Sequence, residues 1–229
     1  MVRDISIVIQ SRLGSTRVPG KMLKPFAGTT LVDILLSKLL KSKEITPDQI
    51  YFCVGDEELI KKGKEYPIKV IERSDSSLNE EKDIATLFEW YIDIPTEYIV
   101  MVSACNPLLK IETIDDFIFK FKNSKREGAI SVYESKNYFW DSEGEMLNKW
   151  PKGFTSMNTK YVETTKVAAH CMYGSKVDII NKGYWVTQGL PYEPELISMP
   201  EIEAFDIDEP WQFKVAEQLY KNREELWEK

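Results

Sequence analysis

The sequence predicts an α/β fold in which one sheet carries helices on both faces. Short runs rich in β-branched residues alternate with helically spaced apolar residues through the first half of the chain. The composition, 43% hydrophobic and 12% aromatic over 229 residues, supports one large buried core. A polar, glycine-containing loop follows the first apolar run directly, as expected where ligands gather beyond the carboxyl ends of parallel strands.

The elements follow in order. Residues 5–9 read as a buried strand and 10–21 as a loop. Leu31, Ile34, Leu35, Leu39 and Leu40 trace a helix after the candidate caps Thr29 and Thr30, and residues 50–54 form a second strand. A helix is predicted from about Glu57, a strand over 68–71, a helix over 79–92, and a strand over 98–102. Next come a helix from near Thr113 and a strand over 129–133. Residues 134–157 are aromatic and turn-rich, with Phe139, Trp140, Trp150 and Phe154 among Gly144, Pro151 and Gly153, and read as a loop or hairpin excursion from the sheet. Residues 167–173 return to the core, and an amphipathic helix over 211–227 ends the chain.

The formal charge of −7 argues against a broad nucleic-acid surface, which needs a cationic field, and favours small-molecule partners. Three widely spaced cysteines, Cys53, Cys105 and Cys171, predict a reducing compartment. A Cys/His zinc site is not expected with a single histidine. No run of eighteen apolar residues and no leader are read in the sequence, so the expectation is a cytoplasmic protein without a membrane partner.

Two segments concentrate chemistry. Residues 11–21, SRLGSTRVPGK, place three cations, two glycines and several hydroxyls after the first strand. Glycines admit backbone N–H groups to anionic oxygens, and Arg and Lys add charge-assisted hydrogen bonds, as a polyphosphate requires. The loop is neither a Walker loop, since Met22 follows Lys21, nor a GxGxxG fingerprint. The alternative is a solvated basic turn. The second segment is Asp206-Ile207-Asp208, whose alternation puts both carboxylates on one side just before a helix with Pro210 in its first turn. Such a pair suits Mg²⁺, which takes one or two carboxylates plus water and phosphate oxygens. The alternative is an Asp208 N-cap beside a solvated Asp206.

The opening IVIQSRLGSTRVPGKML resembles that of the CMP-sugar synthetases, the acylneuraminate and 3-deoxy-manno-octulosonate cytidylyltransferases. The ending AFDIDEPWQFKVAEQL resembles the close of the acylneuraminate branch. The resemblance implies a three-layer, Rossmann-like nucleotidyltransferase fold with a mixed, mostly parallel sheet. It implies one domain over 1–229, with an excursion for dimerisation or sugar binding within 134–195, hence a homodimer. The implied reaction joins CTP to the anomeric hydroxyl of an acidic 2-keto sugar, a nonulosonic or ulosonic acid, giving a CMP-sugar and pyrophosphate for surface glycans.

By the same resemblance, Arg12, Ser15, Arg17 and Lys21 bind the triphosphate, the backbone over 11–13 faces the cytosine, Gly14 joins the nucleotide contacts, and Arg73 reaches the nucleotide from the third strand. Asp206 and Asp208 bind Mg²⁺, and Arg12, Lys21 and Asp208 carry the catalytic role. Ser103, Asn106, Glu163 and His170 are the candidate sugar contacts, although His170, in its apolar run, reads first as a core or interface histidine. Cys105 stands where the octulosonate branch has a metal-binding Asp, and Ser103 where the acylneuraminate branch usually has Gln. Two further readings stay open: a nucleotidyltransferase with another NTP or acceptor, and a non-catalytic nucleotide-sugar binding subunit.

Overall fold

A computed structural model describes residues 3–79, 81–186 and 194–227. Seven strands form one sheet: β1 (Ile5–Gln10), β2 (Ile50–Val54), β3 (Lys69–Glu72), β4 (Tyr98–Val102), β5 (Gly128–Ser135), β6 (Thr165–Lys176) and β7 (Glu195–Ser198). Their order is β3-β2-β1-β4-β6-β5-β7. Only β6 runs against its neighbours, so the sheet is mixed and mostly parallel, as predicted.

The helices are α1 (Leu31–Leu39), α2 (Glu57–Gly63), α3 (Ile84–Leu87), α4 (Ile111–Asn123), α5 (Val177–Asn181), α6 (Pro210–Lys221) and α7 (Arg223–Trp227). Strand alternation sorts the core onto two faces. Ile5, Ile7 and Ile9 of β1 pack with Val32, Leu35 and Leu39 of α1, Leu59 of α2, and Phe117 and Phe121 of α4. Val8, Tyr51, Cys53 and Ile99 pack on the other face with Phe88, Trp90 and Ile180, near α3 and α5. This is the three-layer arrangement. Thr30 caps α1 by accepting from the Asp33 N–H.

A third apolar cluster positions the carboxyl terminus. Phe213 and Ala216 of α6 pack with Val18, Phe26, Leu31 and Ile34, and the Phe26 and Phe213 rings meet edge-on at 5.2 Å. Glu217 Oε1 accepts from the Ala27 N–H at 2.9 Å. These contacts bring the segment before α6 against the loop after β1.

Several predicted boundaries change. The helix expected over 79–92 begins only at Ile84, because Asp83 caps it through the Thr86 N–H. Phe88, at φ −112° and ψ 31°, then breaks it into a separate 3₁₀ turn over Glu89–Ile92. The final helix breaks at Asn222, at φ −105° and ψ 18°, whose side chain turns back to the Gln218 carbonyl. β7 escapes the sequence reading because it is four residues long and half-exposed at the sheet edge. The excursion contains a minimal hairpin, the Trp140–Met146 bridge around a turn at residues 141–144. Its residues 187–193 lie outside the described ones. Trp140, Trp150, Phe154 and Tyr184 are exposed, whereas Trp185 joins the core against Phe88 at 4.7 Å.

Gly174 of β6 is required by close packing. A Cβ there would stand 2.6 Å from Phe121 Cε1, and Phe121 is fully buried. Gly174→Ala is therefore expected to cost about 1–3 kcal/mol of stability, measured as a lowered midpoint in urea unfolding.

Candidate active site

In this sheet the chain winds from β1 outward through β2 to β3, then crosses to β4 on the other side of β1. The carboxyl ends of β1 and β4 therefore flank a topological switch point, where open α/β sheets form a ligand crevice. A cleft of about 330 Å³ opens there. Its lining includes Ser11, Arg12, Ser15, Arg17 and Lys21 from the loop after β1, Arg73 after β3, Cys105 after β4 and Asp208 before α6. Residues from four separate stretches of the sequence meet there.

The loop is held from beneath. The Leu13 N–H donates to Asp56 Oδ2 at 2.9 Å, and the Val18 N–H to Ser15 Oγ at 3.3 Å. Gly20 turns the chain at φ +63°, a conformation that favours glycine, whereas Gly14 keeps a negative φ with open space where a Cβ would stand. One expectation changes: Leu13 packs against the core and its N–H is committed to Asp56, so it does not face the cleft.

Lys21 lies at the centre. It is 8% exposed, and its Nζ donates to the Ile207 carbonyl at 2.6 Å and stands 3.7 Å from Asp208. Arg17 bridges outward to Asp208 at 2.9 Å and Glu209 at 3.2 Å. Arg73 is buried and gives its guanidinium hydrogens to Ser77 Oγ and to the carbonyls of Ser77 and Leu87. Burial pushes its pKa down, but the group stays cationic without a salt bridge among the described residues. Glu89 and Asp56 act on it from a distance, and an anionic ligand in the cleft would add to their counter-charge.

Ile207 is fully buried and its N–H donates to the Cys105 carbonyl at 3.1 Å, while Asp206 and Asp208 on either side of it in sequence both interact with Lys21. Asp208 is not the N-cap of α6. That position falls to Glu209, and Gln212 Oε1 accepts from the N–H groups of both Asp208 and Glu209. Asp206 Oδ1 is buried without a hydrogen-bond partner among the described residues. Burial, and then the Asp208 charge, push the Asp206 carboxyl up. An orphaned carboxylate oxygen beside a second carboxylate fits a hard cation that completes its shell with water and phosphate, so the donor set suits Mg²⁺. Among the described residues no cluster of three or more candidate metal ligands occurs.

The predicted sugar contacts separate. Ser103 Oγ accepts from the Cys105 N–H at 3.1 Å and shapes the turn after β4. Asn106 is buried, and its Nδ2 donates to the Ala204 carbonyl at 3.3 Å, so it fastens that turn to the segment before Asp206. Glu163 lines a different depression, with Trp150, Phe154 and Tyr161. His170 is exposed, against the core reading. It has φ +54° where β6 slips in register against β5, its Nδ1 meets Tyr173 Oη at 2.6 Å, and it lies within electrostatic reach of Asp206, whose pKa it lowers. Sequence reasoning missed Asp56 and Glu209, whose partners lie 43 and 192 residues away.

Residues 6–174 match the cytidylyltransferase family. The chain belongs to that family. This bears out the resemblance read in the opening loop. Among curated relatives, the spore coat polysaccharide biosynthesis protein SpsF of Bacillus subtilis (strain 168) is 37% identical over 59 residues, 25% of each chain. The 3-deoxy-manno-octulosonate cytidylyltransferase of Francisella philomiragia is 29% identical over 112 residues, 49% of this chain and 44% of that protein. The matches thus span a quarter to less than half of these relatives' length.

Among solved structures, a CMP:2-keto-3-deoxy-manno-octonic acid synthetase complexed with CTP superposes with TM-score 0.68 at 13% identity, covering 96% of this chain and 99% of that one. A 4-diphosphocytidyl-2C-methyl-D-erythritol synthase from Anaerococcus prevotii DSM 20548 reaches 0.66 at 17%, covering 94% and 95%. At such identities these likenesses establish the fold of this cytidylyltransferase-family chain.

Proposed function

We propose that the protein is a Mg²⁺-dependent cytidylyltransferase that couples CTP to the anomeric hydroxyl of an acidic 2-keto sugar. The observation that carries this reading is the meeting, in one cleft, of the cations Arg12, Arg17, Lys21 and Arg73 with the carboxylate of Asp208, next to the orphaned oxygen of Asp206. A purely anion-binding module has no use for that acidic pair. The names of the octulosonate cytidylyltransferase relatives and of the CTP-bound fold neighbour agree with CTP and a CMP-sugar product.

In this reading Arg12, Ser15, Arg17 and Lys21 receive the triphosphate, and Arg73 adds charge from the cleft wall. Asp206 and Asp208 would hold Mg²⁺, which when bound supplies positive charge to the reacting phosphate oxygens. The sugar hydroxyl oxygen forms a bond to the α-phosphorus as the bond to the departing pyrophosphate breaks, and the hydroxyl proton passes to solvent. Little acid–base machinery is needed. Alignment and charge compensation at the phosphorus account for the rate, and Lys21 and Arg12 provide the fixed positive groups. His170, exposed at the slip in β6 and within electrostatic reach of Asp206, is our candidate for an acceptor contact.

The exposed aromatics Trp140, Trp150, Phe154 and Tyr161 of the excursion support a homodimer through that face. Among the described residues no helix is long and apolar enough to cross a membrane. A second reading keeps the nucleotide but changes the acceptor to a polyol phosphate. The similar fold score of the diphosphocytidyl-methylerythritol synthase favours it.

Pyrophosphate release from each of the four NTPs, with Mg²⁺ and a panel of 2-keto sugar acids and polyol phosphates, tests the reading. Release with CTP and a sugar acid is the expected result. Release only with a polyol phosphate selects the second reading. A protein that binds no nucleotide refutes both.

A further inference from the structure

Gln10 ends β1 on the same face as Val8, and its half-buried side chain lines the cleft next to Ser11. Trp90, fully buried 80 residues further on, donates its Nε1–H to Gln10 Oε1 at 2.7 Å. An indole N–H can only donate, so this contact fixes which end of the amide faces Trp90. The Nε2 group, with two N–H donors, is the end left over, and it makes no hydrogen bond to any described residue. Beside it Ser11 Oγ is 4% exposed and also unpartnered. Buried hydrogen-bonding groups are normally satisfied, and here the buried Ser11 Oγ and the neighbouring half-buried Gln10 amide hold capacity in reserve beside the same cleft.

The surroundings narrow what these groups meet. The cations Arg17 and Lys21 sit toward Asp208, whereas Ser77, Leu78 and Leu87 line the same cleft beside Arg73, whose guanidinium hydrogens are taken up by Ser77 Oγ and the Ser77 and Leu87 carbonyls, which leaves apolar side-chain surface there for a flat ring. Resting on the CTP reading above, we propose that Gln10 reads the nucleobase. Its Nε2 donates to the O2/N3 edge of cytosine, and Trp90 is the positioning residue that locks the amide in the donating orientation. Both edge atoms of cytosine accept. Uracil presents an N3–H at the corresponding place, so a fixed donor discriminates between the two bases, as buried polar groups do when a partner of the wrong polarity enters.

The test compares Kd and KM for CTP and UTP in the wild-type protein, Gln10→Glu and Trp90→Phe. Gln10→Glu keeps an acceptor for Trp90 but removes both donors. The CTP KM is expected to rise about tenfold or more, and the preference for CTP over UTP to shrink or invert, because a carboxylate accepts from the uracil N3–H. Trp90→Phe frees the amide to flip, so the same preference falls while kcat stays within about twofold. Equal weakening of CTP and UTP by Gln10→Glu overturns the proposal, since added negative charge alone does that. So does an unchanged CTP KM with a raised acceptor KM. A wild-type protein that prefers another nucleotide refutes the cytosine assignment before any variant is made. One that binds CTP selectively but transfers it to no sugar acid leaves the Gln10 measurement intact and sinks only the acceptor assignment.

Discussion

Asp208→Ala is expected to lower the rate of pyrophosphate release by about 10²–10³-fold, the loss typical when one fixed electrostatic group is removed from a reacting centre, with little change in stability. The two halves of this expectation have different origins. Asp208 faces Arg17 at 2.9 Å and Lys21 at 3.7 Å, and its side chain is 42% exposed. Exposed ion pairs contribute about 0–1 kcal/mol. Against that loss, removing Asp208 relieves the repulsion that helps push the Asp206 carboxyl up. The fold therefore has little reason to keep Asp208, whereas a cation held against Asp206 does. Parallel measurements of thermal midpoint and of Mn²⁺ binding in the presence of CTP separate the two effects. Normal turnover with normal Mn²⁺ binding would remove Asp208 from the metal site.

What the sequence disclosed follows the range of the interactions concerned. The strands β1, β2 and β4 were legible because burial on both faces leaves uninterrupted apolar runs such as Ile50-Tyr51-Phe52-Cys53-Val54. The loop over 11–21 was legible because its cations stand in a protein of net charge −7. The pairing of Asp206 and Asp208 was legible because Ile207 between them is apolar and is fully buried. The commitments that long-range contacts impose were not. Nothing near Leu13 announces that Asp56 will take its N–H, and nothing near Gln10 announces Trp90. Asn106 reads as a polar group free for a sugar, yet the Ala204 carbonyl, 98 residues away, takes its amide. His170 sits in an apolar run that suggests burial, but the register slip between β5 and β6 turns it outward at a positive φ.

Lys21→Met is expected to damage stability and activity together, which sets it apart from Asp208→Ala. The methionine keeps the length of the stem and removes the ammonium. Lys21 is buried, and its Nζ is the donor to the Ile207 carbonyl at 2.6 Å, within the segment that joins the α6 cluster to the turn after β4. Losing that donor leaves a buried carbonyl unsatisfied, which costs about 1–3 kcal/mol. The same ammonium lies close enough to Cys105 and Asp206 to lower the pKa of each, so its loss drives the Asp206 carboxyl further up, from a value already raised by burial. The sign of the pH effect follows. Asp206 titrates above its unfolded value, so its contribution to stability is fully present below the usual carboxylate range, where both states are protonated, and is lost as pH rises from there through the raised pKa. In Lys21→Met that loss grows, and the stability deficit relative to wild type is larger at neutral pH than at mildly acidic pH. Urea unfolding at two pH values reads the deficit directly. A deficit independent of pH would show that the ammonium serves only the Ile207 carbonyl. An undiminished rate of pyrophosphate release would show that the cleft's cationic centre lies elsewhere.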